Sequence, residues 1–352
     1  MKTSSSSSIL RESIGPLAEK IVARQYVLQP QDWLRHVSPI SREKSVRDAG
    51  YHLTFLAEAL EAQDAALFCE YLGWVRELFS GLGFSESVLP VTLECTRQAL
   101  LEDLPMEASA DALAVLDAGL AHLARVPIGT PGYLDGDGPY DELARSYLQT
   151  LLRADRHTAS AMILQSVEKG ASLKDIYSQV FQPSQRELGR LWQSHQITIA
   201  QEHFCTAATQ MVMSQLYPAI FMGPRNGRCM VMACVGRELH EIGARMVADF
   251  FEMDGWDSYF LGANTPPEAV LAALEDRRAD LLAISVTMTF HLERVYELIE
   301  AVRSHPRLAR TRILVGGYPF NISAGLWRKV GADGFASSAA QAVQEAEKLF
   351  PA

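Results

Sequence analysis

The chain has 352 residues, 48% of them hydrophobic, and 32 lysines and arginines stand against 42 aspartates and glutamates, giving a formal net charge of −10. A chain of this length can bury two or three separate hydrophobic cores. The acidic balance argues against a broad nucleic-acid surface, which normally needs a basic face.

The amino terminus carries no targeting pattern. Residues 1–8 are polar and Ser-rich, and no apolar stretch follows the single Lys2. We therefore expect no secretory signal, no membrane span and a cytoplasmic location. The five cysteines show no Cys-x-x-Cys spacing, which predicts neither a disulfide framework nor a zinc site. They are Cys69, Cys95, Cys205, Cys229 and Cys234.

The first 125 residues have helical periodicity. Apolar residues recur at helical spacing over 51–60 and again over 66–79. This region is rich in Leu, Ala, Glu and aromatic residues and has no basic recognition helix. We therefore predict a helical domain over residues 1–125 and no direct binding to DNA.

Two breaks divide the rest of the chain. Residues 126–139 are dense in Pro and Gly, which interrupt regular structure, so we predict a linker there. A shorter break at 223–228 separates a helical block from a strand. The predicted units after the linker are therefore 140–222 and 223–352.

The unit at 140–222 has helical periodicity and predicts a four-helix bundle. Pro183 interrupts the third helix and predicts a kink. The fourth helix opens with Thr198-Ile-Ala-Gln201, the pattern of a capping box. The predicted helices span 141–153, 155–169, 172–195 and 198–220.

The unit at 223–352 alternates strands with helix-length segments, which predicts a Rossmann-like, five-stranded parallel sheet. The segment Thr265-Pro-Pro-Glu268 predicts a helix start with Thr265 as the capping residue and Glu268 as its reciprocal partner. The fold class is thus an all-helical part followed by an α/β domain. The predicted strands span 229–235, 257–261, 281–286, 312–315 and 333–336.

Three short patterns fall at the carboxyl ends of these strands, the edge where open α/β sheets bind ligands. Residues 238–243 read Glu-Leu-His-Glu-Ile-Gly. Ser285-Val-Thr287 begins after 41 intervening residues, and Gly316-Gly317 follows after 28 more. Each pattern alone is common, and a histidine at a strand end is more often a solvated loop residue than a ligand. In this order and spacing, however, the three resemble the cobalamin-binding domain family.

The resemblance implies roles for single residues. In such proteins a histidine replaces the cofactor's own base below the cobalt, and the displaced nucleotide tail enters the α/β domain. His240 would be that ligand, within a cofactor-binding loop that also includes Leu239, Glu241 and Ile242. Gly243 would let the tail pass the helix start, Ser285 and Thr287 would offer hydroxyls to it, and Gly316 and Gly317 would let the cofactor approach the backbone.

One residue departs from the family pattern. The family usually has Asp two residues before the histidine, hydrogen-bonded to its other ring nitrogen, and here that residue is Glu238. The carboxylate is retained on a longer side chain. Whether Glu238 holds His240 or points to solvent stays open at this point, and with it the strength of the lower cobalt bond.

Three bundle residues indicate what the cofactor does. Trp192 is followed, after nine residues, by Glu202-His203, so all three fall near one end of the bundle. Alone they would be a core aromatic and a polar pair in a first helical turn. Beside the cobalamin pattern they resemble adenosylcobalamin photoreceptors of the CarH type. In that family the Trp and Glu pack around the adenosyl group, and the His takes cobalt after light breaks the cobalt–carbon bond.

The helical domain at 1–125 suggests a subfamily. Its place before the bundle resembles photocobilins, which hold cobalamin close to a bilin such as biliverdin. Conceivable bilin contacts are His52, Tyr71, Trp74 and Arg76, although core packing explains the aromatics equally well. No covalent attachment context surrounds Cys69 or Cys95, so a bilin would be bound noncovalently.

We therefore expect a light sensor rather than a turnover enzyme, with adenosylcobalamin, and biliverdin as a second chromophore. Its output would be a change in a homo-oligomer, such as a dimer, or in a protein partner. Two alternatives remain open. One is a corrinoid protein that carries methyl groups for a methyltransferase; the other is a cobalamin-dependent antirepressor that binds a transcription factor.

Overall fold

A computed structural model describes residues 5–33, 39–127, 129 and 131–350. Residues 1–4, 128 and 130, on which parts of the amino-terminal and linker predictions fall, lie outside the described residues. The chain divides into two compact units, Met1–Gly129 and Thr130–Ala352. Within the described residues, no helix is long and apolar enough to cross a membrane.

The first unit is built from helices. Helix α1 buries Leu10, Leu17 and Ile21 along one face at helical spacing. It packs against α3, α5 and α6. The helices are α1 (Ser6–Leu28), α2 (Pro30–Trp33), α3 (Pro39–Glu61), α4 (Ala66–Gly81), α5 (Val88–Asp103) and α6 (Met106–Leu123).

The second unit begins with the bundle. Its helices are α7 (Asp141–Leu152), α8 (Arg156–Glu168), α9 (Leu173–Asp175), a π-helical turn (Ile176–Phe181), α10 (Gln182–Gln193), α11 (Ile199–Gln215) and α12 (Tyr217–Ile220). The predicted capping box is confirmed, because the side chains of Thr198 and Gln201 each bond the other's main chain. The described bundle residues contain no strand.

Two of the four expected helices are interrupted. The stretch predicted as 172–195 contains the π-helical turn just before Pro183, since proline lacks a donor and crowds the preceding turn. The stretch predicted as 198–220 breaks at Leu216, two residues before Pro218, for the same reason. The sequence thus predicted an interruption of the third helix near Pro183, but it did not predict the wider helical turn.

The α/β domain follows, and its predicted five-stranded parallel sheet is confirmed, in the order β2-β1-β3-β4-β5. The strands are β1 (Cys229–Cys234), β2 (Asp257–Phe260), β3 (Leu281–Ser285), β4 (Arg312–Gly316) and β5 (Gly334–Ala336). The helices are α13 (Ile242–Met253), α14 (Pro267–Arg277), α15 (Leu292–Ser304), α16 (Tyr318–Ile322), α17 (Leu326–Lys329) and α18 (Ala339–Leu349). A short 3₁₀ turn, Thr289–His291, precedes α15.

Bundle and sheet share one hydrophobic core. Buried bundle residues such as Leu148 and Val212 belong to the same cluster as the strand residues Met232 and Leu281. The strand register then aligns the strand ends, because Cys234 pairs with Ser285, and Ser285 pairs with Gly316. The ends of β1, β3 and β4 therefore lie side by side at one edge of the sheet.

The expected cap of α14 was wrong. Thr265 does not cap this helix; the capping position is Pro266, with no side-chain bond. Instead the Thr265 amide donates to the carbonyl of Cys234 at 3.1 Å, and its hydroxyl donates to the carbonyl of Gly262 at 3.2 Å. The Thr265 amide, which the capping box would have paired with Glu268, thus bonds to the end of β1 instead.

Candidate functional site

His240 lies in the loop between β1 and α13, at the aligned strand ends. Its ring nitrogen Nδ1 is 2.5 Å from Oε1 of Glu238, and its main-chain amide donates to the same oxygen at 3.0 Å. A carboxylate can only accept hydrogen bonds, so Nδ1 carries the proton. The neutral imidazole therefore presents Nε2 as its lone-pair nitrogen, on a side chain that is 58% exposed.

Glu238 itself is fully buried, at 0% exposure. Its second oxygen, Oε2, accepts the amides of Thr287 and Met288, each at 2.9 Å. Nδ1 of His291 lies 3.2 Å from the same oxygen. The question that the sequence left open is answered in favour of contact: Glu238 holds His240, and its added length reaches the loop after β3.

The electrostatics follow from these contacts. Burial alone would raise the pKa of Glu238, but hydrogen bonds from His240, His291 and main-chain amides outweigh it and hold that pKa well below its ordinary value. The hydrogen bond to Glu238 in turn raises the pKa of His240 against the opposing effect of burial. An ionised carboxylate behind an imidazole fixes its orientation and makes the far nitrogen a stronger ligand.

The loop that carries His240 is braced from its amino side. Arg237 has a left-handed backbone, with φ of 70°, and its amide donates to Oδ1 of Asn264 at 2.7 Å. The amide of Asn264 donates back to the carbonyl of Glu238 at 2.9 Å. The loop after β2 therefore fixes the backbone of the loop that contains Glu238 and His240.

The other residues of the expected cofactor loop surround the histidine. Leu239 is exposed, while Glu241 and Ile242 lie at the start of α13. Gly243 occupies the first turn of that helix, and a Cβ built there would meet nothing within 4 Å. Open space therefore adjoins the helix start, where the sequence predicted passage of a nucleotide tail.

The Ser-x-Thr and Gly-Gly patterns meet at the same edge. Ser285 ends β3, Thr287 donates its amide to Glu238, and Gly316 ends β4. Gly317 has φ of 108°, and a Cβ there would lie 1.8 Å from the carbonyl oxygen of Val286. The backbone of Val286, the residue after β3, already requires glycine at Gly317, whatever the cofactor also requires.

The bundle residues singled out in the sequence lie near the end of α10 and the start of α11. Trp192 is the second-last residue of α10, and Glu202 and His203 stand on the first turn of α11. Nδ1 of His203 is 2.5 Å from Oε2 of Glu202, and the His203 side chain is 71% exposed. The charge of Glu202 contributes to the raised pKa of His240, so this pair lies within electrostatic reach of the histidine loop.

The conceivable bilin contacts all belong to the first unit. Nδ1 of His52 lies 2.6 Å from the Tyr71 hydroxyl, and burial lowers the pKa of His52 to about 4. Trp74 is partly exposed. Arg76 donates to the carbonyls of Leu123 and Pro127, so its guanidinium supports the end of α6 rather than an open cation site.

Sequence reasoning missed two contributors. His291, the last residue of the 3₁₀ turn after β3, contacts Glu238, and no spacing rule predicted this contact. Gln210 of α11 donates to Oε1 of Glu241 at 3.0 Å. A polar residue facing inward from a bundle helix was the available signal, but its partner lies 31 residues away.

The donor set fits a corrin. A cobalamin would need one imidazole nitrogen from the protein to hold its cobalt, and Nε2 of His240 would be such a nitrogen. Glu238 fixes the ring, and open space adjoins Gly243. The fold and these residues define a cobalamin-binding protein, with a helical bundle set against an α/β domain.

Comparisons with known proteins agree with this class. Residues 228–346 match the family model described as B12 binding domain, and residues 143–217 match a second model of the same description. The chain is 28% identical to dimethylamine corrinoid protein 3 of Methanosarcina acetivorans over 121 residues, which are 34% of this chain and 55% of that protein. This chain thus spans about half the length of that curated relative.

Two further similarities cover more than half of the chain. A corrinoid protein of Desulfitobacterium hafniense is 23% identical over 208 residues, 57% of this chain and 94% of its own length. The structure of the monomethylamine corrinoid protein of Methanosarcina barkeri superposes with a TM-score of 0.54 at 18% identity, over 60% of this chain and all of its own. The latter shows a shared fold.

Proposed function

We propose that this protein is a light sensor that holds adenosylcobalamin between the bundle and the α/β domain. The observation that carries the proposal is the Glu202–His203 pair on the first turn of α11, on the side of the histidine loop. A methyl carrier gives no reason for this pair. In a light sensor, each of its members has a task.

Adenosylcobalamin would supply a cobalt–carbon bond that light breaks. His240 would hold the cobalt from below, oriented by Glu238. Trp192 would shield the adenosyl group by stacking and area burial, and Glu202 would accept hydrogen bonds from its hydroxyls or amine. His203, already bonded to Glu202 through Nδ1, presents Nε2 as the nitrogen to occupy the vacated upper position.

The first unit supports a role beyond methyl carriage. The match to the Desulfitobacterium hafniense corrinoid protein covers 94% of that protein but 57% of this chain. The match to the monomethylamine corrinoid protein structure covers all of that protein but 60% of this chain. More than a third of the chain thus has no counterpart in them. We propose that this added part serves signalling, through a homo-oligomer or a protein partner, without direct contact to DNA.

Biliverdin is the proposed second chromophore, bound noncovalently in the first unit. The support is the buried His52–Tyr71 pair, with Phe55 stacked on Tyr71 at a ring-centre distance of 3.6 Å. Such a pair offers polar groups inside an aromatic environment, which suits a conjugated tetrapyrrole. Arg76 is not included, because its two terminal nitrogens already donate to the carbonyls of Leu123 and Pro127.

The second candidate function is a methyl carrier for a methyltransferase. The observation that favours it is the naming of the curated relatives, several of which are dimethylamine corrinoid proteins. These similarities favour methyl carriage over light sensing as far as sequence alone is concerned. Under this proposal the chain binds methylcobalamin and forms a complex with a methyltransferase.

Illumination separates the two. We expect green light on the adenosylcobalamin-loaded protein to produce a cobalt spectrum with two imidazole ligands and to change the oligomeric state measured by size-exclusion chromatography. His203→Ala should bind the cofactor in the dark but lose both light effects. The matched control is His157→Ala, an exposed histidine in the first turn of α8.

Bond cleavage alone would not support the sensor, because free adenosylcobalamin is also light-sensitive. A photoproduct spectrum that is the same in the wild type and in His203→Ala, with an unchanged oligomer, would contradict it. Transfer of a methyl group from the methylcobalamin-loaded protein to a methyltransferase would then favour the carrier.

A further inference from the structure

The joint between the bundle and the α/β domain runs along one face of α13. Glu241, Arg245 and Asp249 are spaced by four residues, so their side chains share a face of the helix. Each contacts the bundle: Glu241 meets Gln210, Arg245 meets Ser214, and Asp249 meets Tyr177. The contacts in this joint are polar and directional, unlike the apolar core behind it.

Glu241 differs from the other two because it directly follows His240. Its two carboxylate oxygens contact different elements. Oε1 accepts from Nε2 of Gln210 on α11 at 3.0 Å, and Oε2 accepts from the amide of Ala263 in the loop after β2 at 2.8 Å. The residue next to the histidine is therefore attached both to the bundle and to the sheet edge.

Glu238 and Asn264 fix the other side of His240 through hydrogen bonds that join the loops after β1, β2 and β3 to one another. Those bonds keep the amino side of the loop in place if the bundle moves. The carboxyl side is also attached to the sheet edge through Ala263, but it is the side on which α11 contacts the loop, through Gln210. A shift of α11 would therefore turn the loop about its fixed end and change the position of the imidazole.

Helix α11 also carries the Glu202–His203 pair, which the proposed function assigns to the upper face of the cobalamin. His203 and Gln210 are seven residues apart on α11, close to two full turns, so they lie on one face of it. A group bound beside His203 and the residue after His240 are thus connected through one rigid helix.

We infer that Glu241 is a positioning residue through which α11 controls the position of the His240 imidazole. The upper face of the cobalamin, beside His203, is thereby coupled to its lower face, beside His240. By linkage, a group bound at the upper face changes the strength of the bond between His240 and cobalt. In turn, that bond changes the affinity of the upper face for the group. This inference rests on the proposed role of His240 as the lower ligand.

The test uses the full chain labelled with ¹⁵N and loaded with unlabelled cobalamin in its reduced Co(II) form. A protein nitrogen on cobalt splits each electron paramagnetic resonance line into a doublet, whereas the cofactor's own ¹⁴N base gives a triplet. In the wild type we expect a doublet. A triplet would show that His240 is not the ligand, and the proposed site would fail before the coupling is examined.

Once the wild type shows the doublet, Gln210→Ala should lower the fraction of cobalt that gives the doublet and raise the fraction that gives the triplet. It should also weaken cobalamin binding about fivefold, which is the effect of one lost hydrogen bond. Glu241→Ala should have a larger effect, since it removes the attachment to the sheet edge as well. Ser214→Ala is the matched control, because it removes a neighbouring contact of the same joint that does not reach the histidine loop.

Two further variants separate positioning from general destabilisation. Glu241→Gln can keep both contacts, because its amide oxygen accepts from Ala263 and its NH2 group donates to the Gln210 amide oxygen once that amide is reversed, so its spectrum should be close to the wild type. The double variant Gln210→Ala, Glu241→Ala should be no worse than Glu241→Ala alone, because both act through one contact. An unchanged doublet in Gln210→Ala, an equal loss in Ser214→Ala, or additive losses in the double variant would overturn the inference.

Discussion

Glu238 is the residue on which the arrangement of the candidate site depends. Its two oxygens accept from two histidines and three main-chain amides, and the side chain is fully buried. An aspartate has one methylene fewer, so it could not span from the His240 ring to the amides of Thr287 and Met288 without moving the backbone. The glutamate is therefore matched to the distance between two loops.

This match predicts the outcome of restoring the usual family residue. Glu238→Asp should lower the free energy of unfolding by about 1–3 kcal/mol, because buried donors lose their acceptor. It should also weaken cobalamin binding by about 10–100-fold, as loss of an outer-shell partner does at metal sites. Chemical denaturation of the cofactor-free protein and absorbance titration with cobalamin measure the two effects. An aspartate variant as stable and as tight as the wild type would mean that the extra length is not used.

At this scale the sequence predicted the members of the site better than their contacts. The strand-end spacing predicted that Glu238, His240, Gly243 and Ser285 lie near one another, because parallel strands end at one edge. It could not place His291, whose contact with Glu238 depends on how a 3₁₀ turn folds. Nor could it show that Val286 requires glycine at Gly317.

At the scale of helices and strands, the sheet could be predicted from the sequence, but the contacts between the bundle and α13 could not. Alternating apolar strands and helices specified five parallel strands, since only that arrangement buries them. The π-helical turn before Pro183 was missed because proline predicts a break but not how the chain accommodates it. That turn presents Tyr177 to α13, where its hydroxyl donates to Oδ2 of Asp249 at 2.8 Å.

Asp249 makes the stability of this joint depend on pH. Burial raises its pKa from 3.8 to about 6, although hydrogen bonds from Tyr177 and Tyr217 and the charge of Arg245 oppose the shift; the charge of Glu252 adds to it. The folded state thus binds this proton more tightly than the unfolded state. Above pH 6 the folded state holds an unfavourable charge, and that penalty disappears as the pH falls towards 4.

Asp249→Asn removes the titration and keeps an acceptor for Tyr177. Relative to the wild type, the variant should become more stable by about 1.4 kcal/mol when the pH rises from 5.0 to 7.5, given a 1.36 kcal/mol effect per pKa unit. Urea denaturation of both proteins at each pH gives the difference, and other titrating groups cancel. A difference that shrinks as the pH rises would show that Asp249 is stabilised as the anion.

For the whole molecule, composition and spacing predicted a helical part, a bundle and an α/β domain, and the structure divides between Gly129 and Thr130. What the first unit binds could not be predicted from sequence. Helical periodicity is satisfied by an ordinary core as well as by a ligand pocket. Tyr71, for example, is buried, hydrogen-bonded and stacked within its own unit, with or without a bilin.

Calorimetry of the full chain can assign each chromophore to its unit. A ligand that binds only the folded form stabilises it by about 2.7 kcal/mol at one hundred times its dissociation constant. Cobalamin at that excess should raise the unfolding transition of residues 130–352 and leave the other in place, and His240→Ala should reduce the shift. Biliverdin should raise the transition of the first unit alone, and His52→Leu should abolish that shift, because it removes the polar partner of Tyr71. A biliverdin shift confined to the cobalamin-binding unit would contradict the placement of the second chromophore and leave the cobalamin site intact.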